Sequence, residues 1–256
     1  MSQITNHPYA KAFLLALALL TRLPLPQFKN IQASDSGRSA LFYPLVGLVI
    51  GLILYLPILF FSQAPPLLLA AIITVLWAVI TGGLHLDGLA DSADGWLGGM
   101  GDKDKALKIM KDPVVGAAGS IAITCMLLLK FAVLTAILQQ TFHDIVRTSG
   151  IIIFAPFLGR AMILLLILLS NNANPNSMAN DVVNHLSRNT IGWLIGACVL
   201  IAAFFSLSGL LFALVSFWLI RKLMYKHLGG YTGDTLGATV EITEVMYLIG
   251  YALLRV

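Results

Sequence analysis

Long apolar runs, separated by short polar stretches, recur along the whole chain. Each run holds roughly 17 to 25 apolar residues and could cross a hydrocarbon core of about 30 Å as a helix. The period-two alternation typical of transmembrane β-strands does not occur in the sequence. The pattern therefore predicts about seven membrane-spanning helices. We place them at Ala40–Phe61, Pro65–Thr81, Val114–Gln139, Ile151–Leu169, Ile191–Phe205, Gly209–Ile220 and Thr235–Leu254.

Two breaks interrupt this pattern. The apolar run Phe13–Leu20 is followed by TRLPLP, in which Pro24 and Pro26 each remove a backbone donor and end any helix. We expect Phe13–Leu20 to form a short interfacial or re-entrant helix. Further along, the sequence SLSG at 206–209 separates two short predicted spans. Those spans are either independent crossings or a helical hairpin with buried ends.

Composition leads to the same class of protein. Hydrophobic residues make up 58% and charged residues 11% of the chain, and the mean hydropathy is +0.88, far outside the averages of soluble proteins. We expect one integral membrane domain over residues 1–256, an all-α polytopic transmembrane helical bundle in a lipid bilayer. The basic residues lie in loops rather than in one patch, so the net charge of +4 does not indicate nucleic-acid binding. Cys125 and Cys198 lie inside apolar runs and predict neither a disulfide nor a thiolate metal site.

Lysines and arginines are distributed unequally between alternate loops, which predicts the orientation of the bundle. One set of loops holds eleven of them, whereas the other holds only Arg147 and Arg255. The eleven are Arg22, Lys29, Arg38, Lys103, Lys105, Lys108, Lys111, Arg188, Arg221, Lys222 and Lys226. The positive-inside rule places this set, with the polar stretches 82–113 and 221–234, on the cytoplasmic face.

Six of the 12 acidic residues fall between Asp87 and Asp112. Asp87, Asp91 and Asp94 are spaced i, i+4, i+7 and would share one face of a helix, where three like charges repel one another. A divalent cation relieves such repulsion, and oxygen ligands without cysteine favour Mg²⁺ or Mn²⁺ over zinc. We predict a Mg²⁺ site here, with a solvated acidic loop as the alternative.

A second acidic stretch, GGYTGDTLGATVEITE, runs from Gly229 to Glu244. Asp234 is predicted to be the N-cap of the last span, which puts Glu241 and Glu244 on one face inside that helix. Ionisable residues within a span usually face a bundle interior or a wet cavity, so these glutamates are further candidate metal ligands. Aligning Gly82 with Gly229 also brings Asp87 onto Asp234, which is consistent with two half-sites facing one ion or with chance. We predict that the two stretches converge on one site.

Basic side chains near these acids are candidates for binding an anion. Lys108 and Lys111 lie beside the first acidic stretch, where they could share the charge of a phosphorylated substrate or serve only as positive-inside anchors. Arg160 lies in the middle of a span and could bind a carboxylate or an anion. Lys130, also within a span, could pair structurally or snorkel to the interface. His85 precedes Asp87 by two residues and is either a general base or a residue that orients a ligand.

Six motifs, in order, resemble the cobalamin synthase family: TRLPLP, YPLVGLVIG, TGGLHLDGLADSADGW, IMKDPVVGAAG, APFLGR and GGYTGDTLGATVEITE. The similarity runs from about Thr21 to the C-terminus, and HLDGLADSADG and GGYTGDTLGA are long and specific. It implies a Mg²⁺-dependent enzyme of the bacterial inner membrane, in which a hydroxyl of α-ribazole or its 5′-phosphate displaces GMP from adenosylcobinamide-GDP. It also implies metal binding by Asp87, Asp91 and Asp94, with a second acidic group formed by Asp234, Glu241 and Glu244.

The resemblance leaves some points open. Members commonly carry an arginine after the lysine-rich helix, whereas Val114 stands here, so a phosphate contact from that position must come from Lys108, Lys111 or Arg160, or be absent. A CDP-alcohol phosphotransferase is the competing enzyme hypothesis, although its usual aspartate spacing is missing. An ion-coupled transporter is the non-enzymatic alternative, based on the intramembrane charges. A homo-oligomer also remains open.

Overall fold

The computed structural model describes residues 7–26, 28, 31–139, 145–173 and 179–254. Within these residues the chain forms twelve α-helices and no β-strand, only an isolated bridge between Asn172 and Tyr231. The helices are α1 (Pro8–Leu20), α2 (Ala33–Ser39), α3 (Tyr43–Phe60), α4 (Pro66–Thr81), α5 (Leu84–Gly99), α6 (Lys103–Ile109), α7 (Ala117–Leu138), α8 (Ile145–Leu169), α9 (Ala179–His185), α10 (Arg188–Phe205), α11 (Leu207–Leu228) and α12 (Gly233–Leu254).

Six of the described helical segments are long and apolar enough to cross a membrane, which confirms the predicted polytopic helical bundle. They are Ala33–Phe60, Ala117–Leu138, Thr148–Leu169, Arg188–Phe205, Leu207–Leu228 and Gly233–Leu254. The first joins α2, a short 3₁₀ turn and α3. A seventh crossing results if the bent pair α4 and α5 is counted as one span. The predicted short helix before the prolines is α1, which is apolar but has only 13 residues.

The bend between α4 and α5 sets the position of the acidic helix. The two helices meet at 85°, and both residues between them, Gly82 and Gly83, have positive φ angles of 62° and 70°. Residues with a Cβ rarely adopt such angles, so glycine makes the turn possible. α4 is 16 residues long, or about 24 Å, so the bend separates the apolar α4 from α5, which carries the acidic residues. The pair has the form of a broken span or a re-entrant segment, and α5 alone does not reach spanning length.

The C-terminal helices differ in detail from the predicted spans. α10 and α11 are separate helices of 18 and 22 residues, joined through Ser206, and each reaches spanning length. α11 continues to Leu228, beyond the predicted Ile220, because its cations find partners at the helix surface: Arg221 donates to the carbonyl of Leu169 at 2.7 Å. The structure thus favours two independent crossings over a hairpin with buried ends.

The start of α12 corrects the prediction for Asp234. Helix α12 begins at Gly233, so Asp234 lies in its first turn rather than at the N-cap. Thr232 takes the capping role, since its hydroxyl accepts the N–H of Thr235 at 3.3 Å and its own N–H donates to the Thr235 hydroxyl at 2.8 Å. A threonine at the N-cap satisfies a free amide of the first turn. The carboxylate of Asp234 is thereby not needed to cap the helix through the amide of Thr235.

Candidate functional site

A cavity of about 950 Å³ lies where α1, the TRLPLP segment and the first turns of α5 and α12 meet. Most of its wall is apolar and comes from α1, the segment after it and α8. Its charged and imidazole side chains are Arg22, His85, Asp87 and Asp234. The cavity therefore joins residues that are far apart in sequence, and two of them come from the two acidic stretches.

Close packing of α5 against α12 brings those stretches together. A Cβ at Gly88 would lie 2.6 Å from the carbonyl oxygen of Asp234, and one at Gly237 would lie 3.3 Å from the Cα of His85. Neither position has room for a larger side chain without displacing backbone. The glycines that flank the acids thus allow two helix N-termini to approach. The first parts of the two stretches converge, as the sequence alignment of Gly82 with Gly229 suggested.

The three aspartates of α5 share one helix but have different surroundings. Asp87 is exposed and lines the cavity. Asp91, one turn further, is partly buried, and this burial, with the charges of Asp87, Asp234 and Asp94, raises its pKa to about 6. Repulsion among these carboxylates is the electrostatic condition that a bound cation would relieve. Metal binding by Asp87, Asp91 and Asp94 stays a prediction, since no three or more of the described His, Cys, Asp or Glu side chains are arranged to hold a metal on their own.

Asp94 has a different set of partners. Its carboxylate accepts the N–H of Gly116 at 2.7 Å and the N–H of Gly119 at 2.9 Å. These amides belong to the N-cap and first turn of α7, whose positive end a carboxylate stabilises. Asp94 does not line the cavity. The geometry thus gives Asp94 a capping role, and its metal binding, predicted from the spacing, stays a prediction.

Glu241 and Glu244 also have partners other than a metal. Lys130 of α7 donates to Glu241 at 2.6 Å and to Glu244 at 3.3 Å, and Arg160 of α8 donates to the second oxygen of Glu244. All four side chains are at most 2% exposed. The Lys130 ammonium also lies 4.3 Å from the ring centroid of Trp77, a favourable cation–π distance. We call these four charged residues the buried quartet.

The buried quartet changes the interpretation of the intramembrane charges. Two cations and two anions balance one another, so the site needs no metal to offset the glutamates. None of the four lines the cavity. Glu241 and Glu244 instead take part in an ion-paired network that joins three helices, and their binding of the same ion as Asp87 stays a prediction. Arg160 retains two nitrogens, Nε and Nη2, without a hydrogen-bond partner among the described residues.

His85 lies between the cavity and the buried quartet. It is 3% exposed, lines the cavity, and its Nε2 has no hydrogen-bond partner in the described part of the chain. Burial, with the positive charges of Arg160 and Lys130, holds the pKa of His85 well below its usual value. The imidazole is therefore neutral at physiological pH and has a ring nitrogen able to accept a proton.

The lysines that were predicted to bind an anion do not line the cavity. An arginine that was not predicted to bind an anion does line it. Lys108 in α6 and Lys111 after it are exposed, and neither lines the cavity. Arg22 does line it. From the sequence, Arg22 was expected only to mark the orientation of the bundle, although its place in TRLPLP, a motif that carries the family resemblance, was a signal of a further role.

These features define a polytopic membrane protein with a large cavity lined by two aspartates, an arginine and a histidine. The chain belongs to the family described as cobalamin-5-phosphate synthase, whose model matches residues 12–252. Among similar proteins, the adenosylcobinamide-GDP ribazoletransferase of Pseudomonas paraeruginosa strain PA7 is 42% identical over 95% of this chain and 98% of its own length. Those of Pseudomonas aeruginosa UCBPP-PA14 and Pseudomonas fluorescens Pf0-1 are each 41% identical, over 95% and 93% of this chain and 98% of their own lengths. No solved structure matches the chain.

Proposed function

We propose that this protein is the membrane enzyme that joins α-ribazole, or its 5′-phosphate, to adenosylcobinamide-GDP and releases GMP. The observation that carries the proposal is the cavity: at about 950 Å³ it has the size of a small-molecule site, which is commonly about 300–1,000 Å³. Family membership along nearly the whole chain supplies the class of substrate.

The reaction is a displacement at phosphorus. An oxygen of the ribazole ribose forms a bond to the phosphorus that carries cobinamide, and the bond from that phosphorus to the bridging oxygen breaks. The bridging oxygen leaves with GMP, and the attacking hydroxyl gives up its proton. Such a reaction requires positioning of two large substrates and stabilisation of charge on the leaving diphosphate oxygen.

Asp87 and Asp234, with Asp91 nearby, are the residues that would hold Mg²⁺. The described residues contain no set of three or more His, Cys, Asp or Glu side chains arranged to bind a metal on their own. This donor set still fits Mg²⁺, which usually takes one or two carboxylates and completes its shell with water and substrate phosphates. When bound, Mg²⁺ would neutralise charge on the diphosphate. Removal of Mg²⁺ should therefore reduce GMP release.

His85 is our candidate to accept the proton of the attacking hydroxyl, because it lines the same cavity as Asp87 and Asp234. Its lowered pKa makes the free imidazole a weak base, so the negative charge of a bound diphosphate would have to favour its protonated form. The apolar residues around it limit access of water, which would otherwise compete with the ribazole hydroxyl. In this proposal Lys108 and Lys111 lie outside the cavity, as exposed cations on the same side of the bundle. Arg160 acts through the buried quartet.

We also propose that the cavity opens on the cytoplasmic face of the bacterial inner membrane. The eleven basic residues of one loop set include Arg22, Lys103 and Lys226, all at the end of the bundle that holds α5 and α6. The positive-inside rule assigns that end to the cytoplasm. The nucleotide substrate would then reach the site from the compartment in which nucleotides are made.

The direct test is a turnover assay with the purified protein in detergent. We expect GMP and a corrinoid product when adenosylcobinamide-GDP, Mg²⁺ and either ribazole form are supplied, and a strong reduction when EDTA replaces Mg²⁺. Omitting the ribazole controls for simple hydrolysis. Failure of the folded wild-type protein to release GMP with either ribazole would contradict the proposal.

The same assay separates the other hypotheses. Release of CMP from CDP-diacylglycerol and an alcohol would identify a CDP-alcohol phosphotransferase, and we expect none. Transport was suggested by intramembrane charges, but those charges are paired with one another and lie outside the cavity wall. The geometry therefore does not favour transport.

A further inference from the structure

The cavity contains one basic side chain whose partner is missing. Among the described residues that line it, Arg22 is the only lysine or arginine. The ion pairs formed by described residues do not include it. A guanidinium presents five donors in a planar fork that matches phosphate, so an unpaired arginine in a substrate cavity is suited to bind an anion.

Local packing holds Arg22 at the turn between α4 and α5. Its backbone N–H donates to the carbonyl of Ile80 at 2.7 Å, which ties the TRLPLP segment to the end of α4. Its side chain lies directly against Gly82, where an added Cβ would collide with Cγ and Nε of the arginine. Glycine is thus required at position 82 for two reasons. It adopts the left-handed backbone conformation, and its lack of a Cβ leaves space for the arginine side chain. The backbone of Arg22 is thus held by the fold, and its exposed side chain lies against Gly82 at the cavity.

Two helix N-termini face the same space. Leu84 and His85 come from the first turn of α5, and Gly233 and Asp234 from the first turn of α12, and all four line the cavity. Backbone N–H groups of a first turn lack helical acceptors and carry the positive end of the helix dipole, which favours anions. His85 gives an independent indication of a polar ligand, because it lines the cavity, is 3% exposed and has a buried Nε2 with no hydrogen-bond partner among the described residues.

We propose that Arg22, with the first turns of α5 and α12, binds a phosphate group of one of the two substrates. The inference rests on the proposed function. Without Arg22, the charged side chains of the cavity would be Asp87 and Asp234 alone, which repel a phosphate. The phosphate belongs either to the diphosphate of adenosylcobinamide-GDP or to the 5′-phosphate of the ribazole. Arg22 is a binding residue for either source, and Asp87 and Asp234 remain the candidate metal ligands beside it.

Kinetics of Arg22→Gln identify the source of the phosphate. If Arg22 binds the diphosphate, KM for adenosylcobinamide-GDP rises about tenfold or more, because a charge-assisted hydrogen bond is lost, and it does so with both forms of ribazole. If Arg22 binds the 5′-phosphate, only KM for the phosphorylated ribazole rises and the unphosphorylated form is unaffected. Arg22→Lys, which keeps the charge without the fork, should lie between Arg22→Gln and the wild type.

Arg38→Gln is the matched control. Arg38 lies in α2, is exposed and does not line the cavity, so its substitution removes the same charge from the same end of the bundle. It should leave every KM near the wild-type value. Unchanged KM values for all substrates in folded Arg22→Gln would overturn the proposal.

A binding measurement keeps this test separate from the proposed function. Pyrophosphate, without Mg²⁺, should raise the Tm of the wild-type protein and of Arg38→Gln, and should raise it less or not at all in Arg22→Gln. This comparison does not require turnover, so it still tests Arg22 if the wild type releases no GMP. An equal rise in all three proteins, or no rise in the wild type, would show that Arg22 does not form an anion site.

Discussion

At the scale of single residues, aspartates on the same face of α5 have different surroundings and different partners. Asp87 is exposed at the cavity, whereas Asp94 accepts two amides of α7. The difference arises from what packs against each turn of α5: the N-terminus of α12 near Asp87 and the N-terminus of α7 at Asp94. Neutralising the two aspartates should therefore produce different defects.

Asp87→Asn should lower kcat/KM for GMP release by on the order of 100-fold or more, because it removes a charge from the candidate Mg²⁺ site without removing packing. The Mg²⁺ concentration needed for half-maximal activity should rise. Steady-state assays across a Mg²⁺ titration measure both effects. Asp104→Asn, at an exposed position in α6 outside the cavity wall, is the control and should behave as the wild type. Wild-type turnover of Asp87→Asn at ordinary Mg²⁺ would remove Asp87 from the site.

Asp94→Ala should mainly lower stability, by about 1 kcal/mol, because two amides at the start of α7 lose their acceptor. Thermal unfolding in detergent, followed by tryptophan fluorescence, measures the loss. Activity of the folded variant should keep the wild-type Mg²⁺ dependence. A raised Mg²⁺ requirement like that of Asp87→Asn would instead return Asp94 to the metal site.

The residue types of the site were predictable from sequence, but their partners were not. The i, i+4, i+7 spacing correctly put Asp87, Asp91 and Asp94 on one helix, since helical periodicity is a local property. The bond from Asp94 to Gly116 depends on how two helices pack, which spacing does not encode. Arg22 was missed for the same reason: it reaches the cavity only because the TRLPLP segment is tied to the end of α4.

At the scale of helices, the buried quartet links α7, α8 and α12 within the bundle. Lys130, Arg160 and the two glutamates each come from a segment long enough to span a membrane. Charges at such depth are costly unless they are paired, so each helix depends on its neighbours to neutralise it. The quartet specifies how these three helices align. Burial lowers the pKa of His85, and the two cations of the quartet, Arg160 and Lys130, lower it further.

Lys130→Met should destabilise the protein by about 3–5 kcal/mol, because it leaves two buried carboxylates with one cation. The double variant Lys130→Met with Glu241→Gln should recover part of this loss, since Glu244 and Arg160 then form a balanced pair. The midpoint of SDS-induced unfolding, followed by tryptophan fluorescence, compares the wild type, the two single variants and the double variant. If the double variant is less stable than the single by the full cost of Glu241→Gln alone, the two residues are not coupled.

Sequence periodicity predicted the helices better than their ends. The apolar runs gave the spanning helices because about 20 apolar residues are needed to cross a bilayer. The extension of α11 past Ile220 was not predicted, because the cations that follow Ile220 are typical of a loop. In the structure, Arg221 donates to a carbonyl at the end of α8 and lies 5.3 Å from the Trp218 ring centroid. The two buried glutamates were recognised as unusual from sequence, but their pairing with Lys130 required the fold.

At the scale of the whole molecule, one end of the bundle collects the polar elements. The side chain of Trp96 in α5 stacks on His227 of α11 with ring centroids 5.8 Å apart, and Leu228 packs against Ala106 and Met110 around α6. The polar stretches predicted to share a face are therefore at the same end. The loop that contains Gln63 follows α3 and precedes α4, at the opposite end of α4 from Gly82.

The orientation of the bundle gives the last prediction. Lys108→Cys in α6 and Lys226→Cys in α11 should face the cytoplasm, whereas Gln63→Cys should face the other side, because eleven of thirteen loop cations belong to the first set. His143, which would mark the second set directly, lies outside the described residues, and the exposed Gln63 replaces it. The three cysteines are introduced singly after Cys125 and Cys198 are changed to alanine. An impermeant maleimide should label position 63 in intact cells and positions 108 and 226 only after the membrane is opened. Labelling in the reverse order would invert the orientation and move the cavity to the outer face. Labelling of all three from one side would contradict the helix arrangement itself, since α4 would then not cross the membrane.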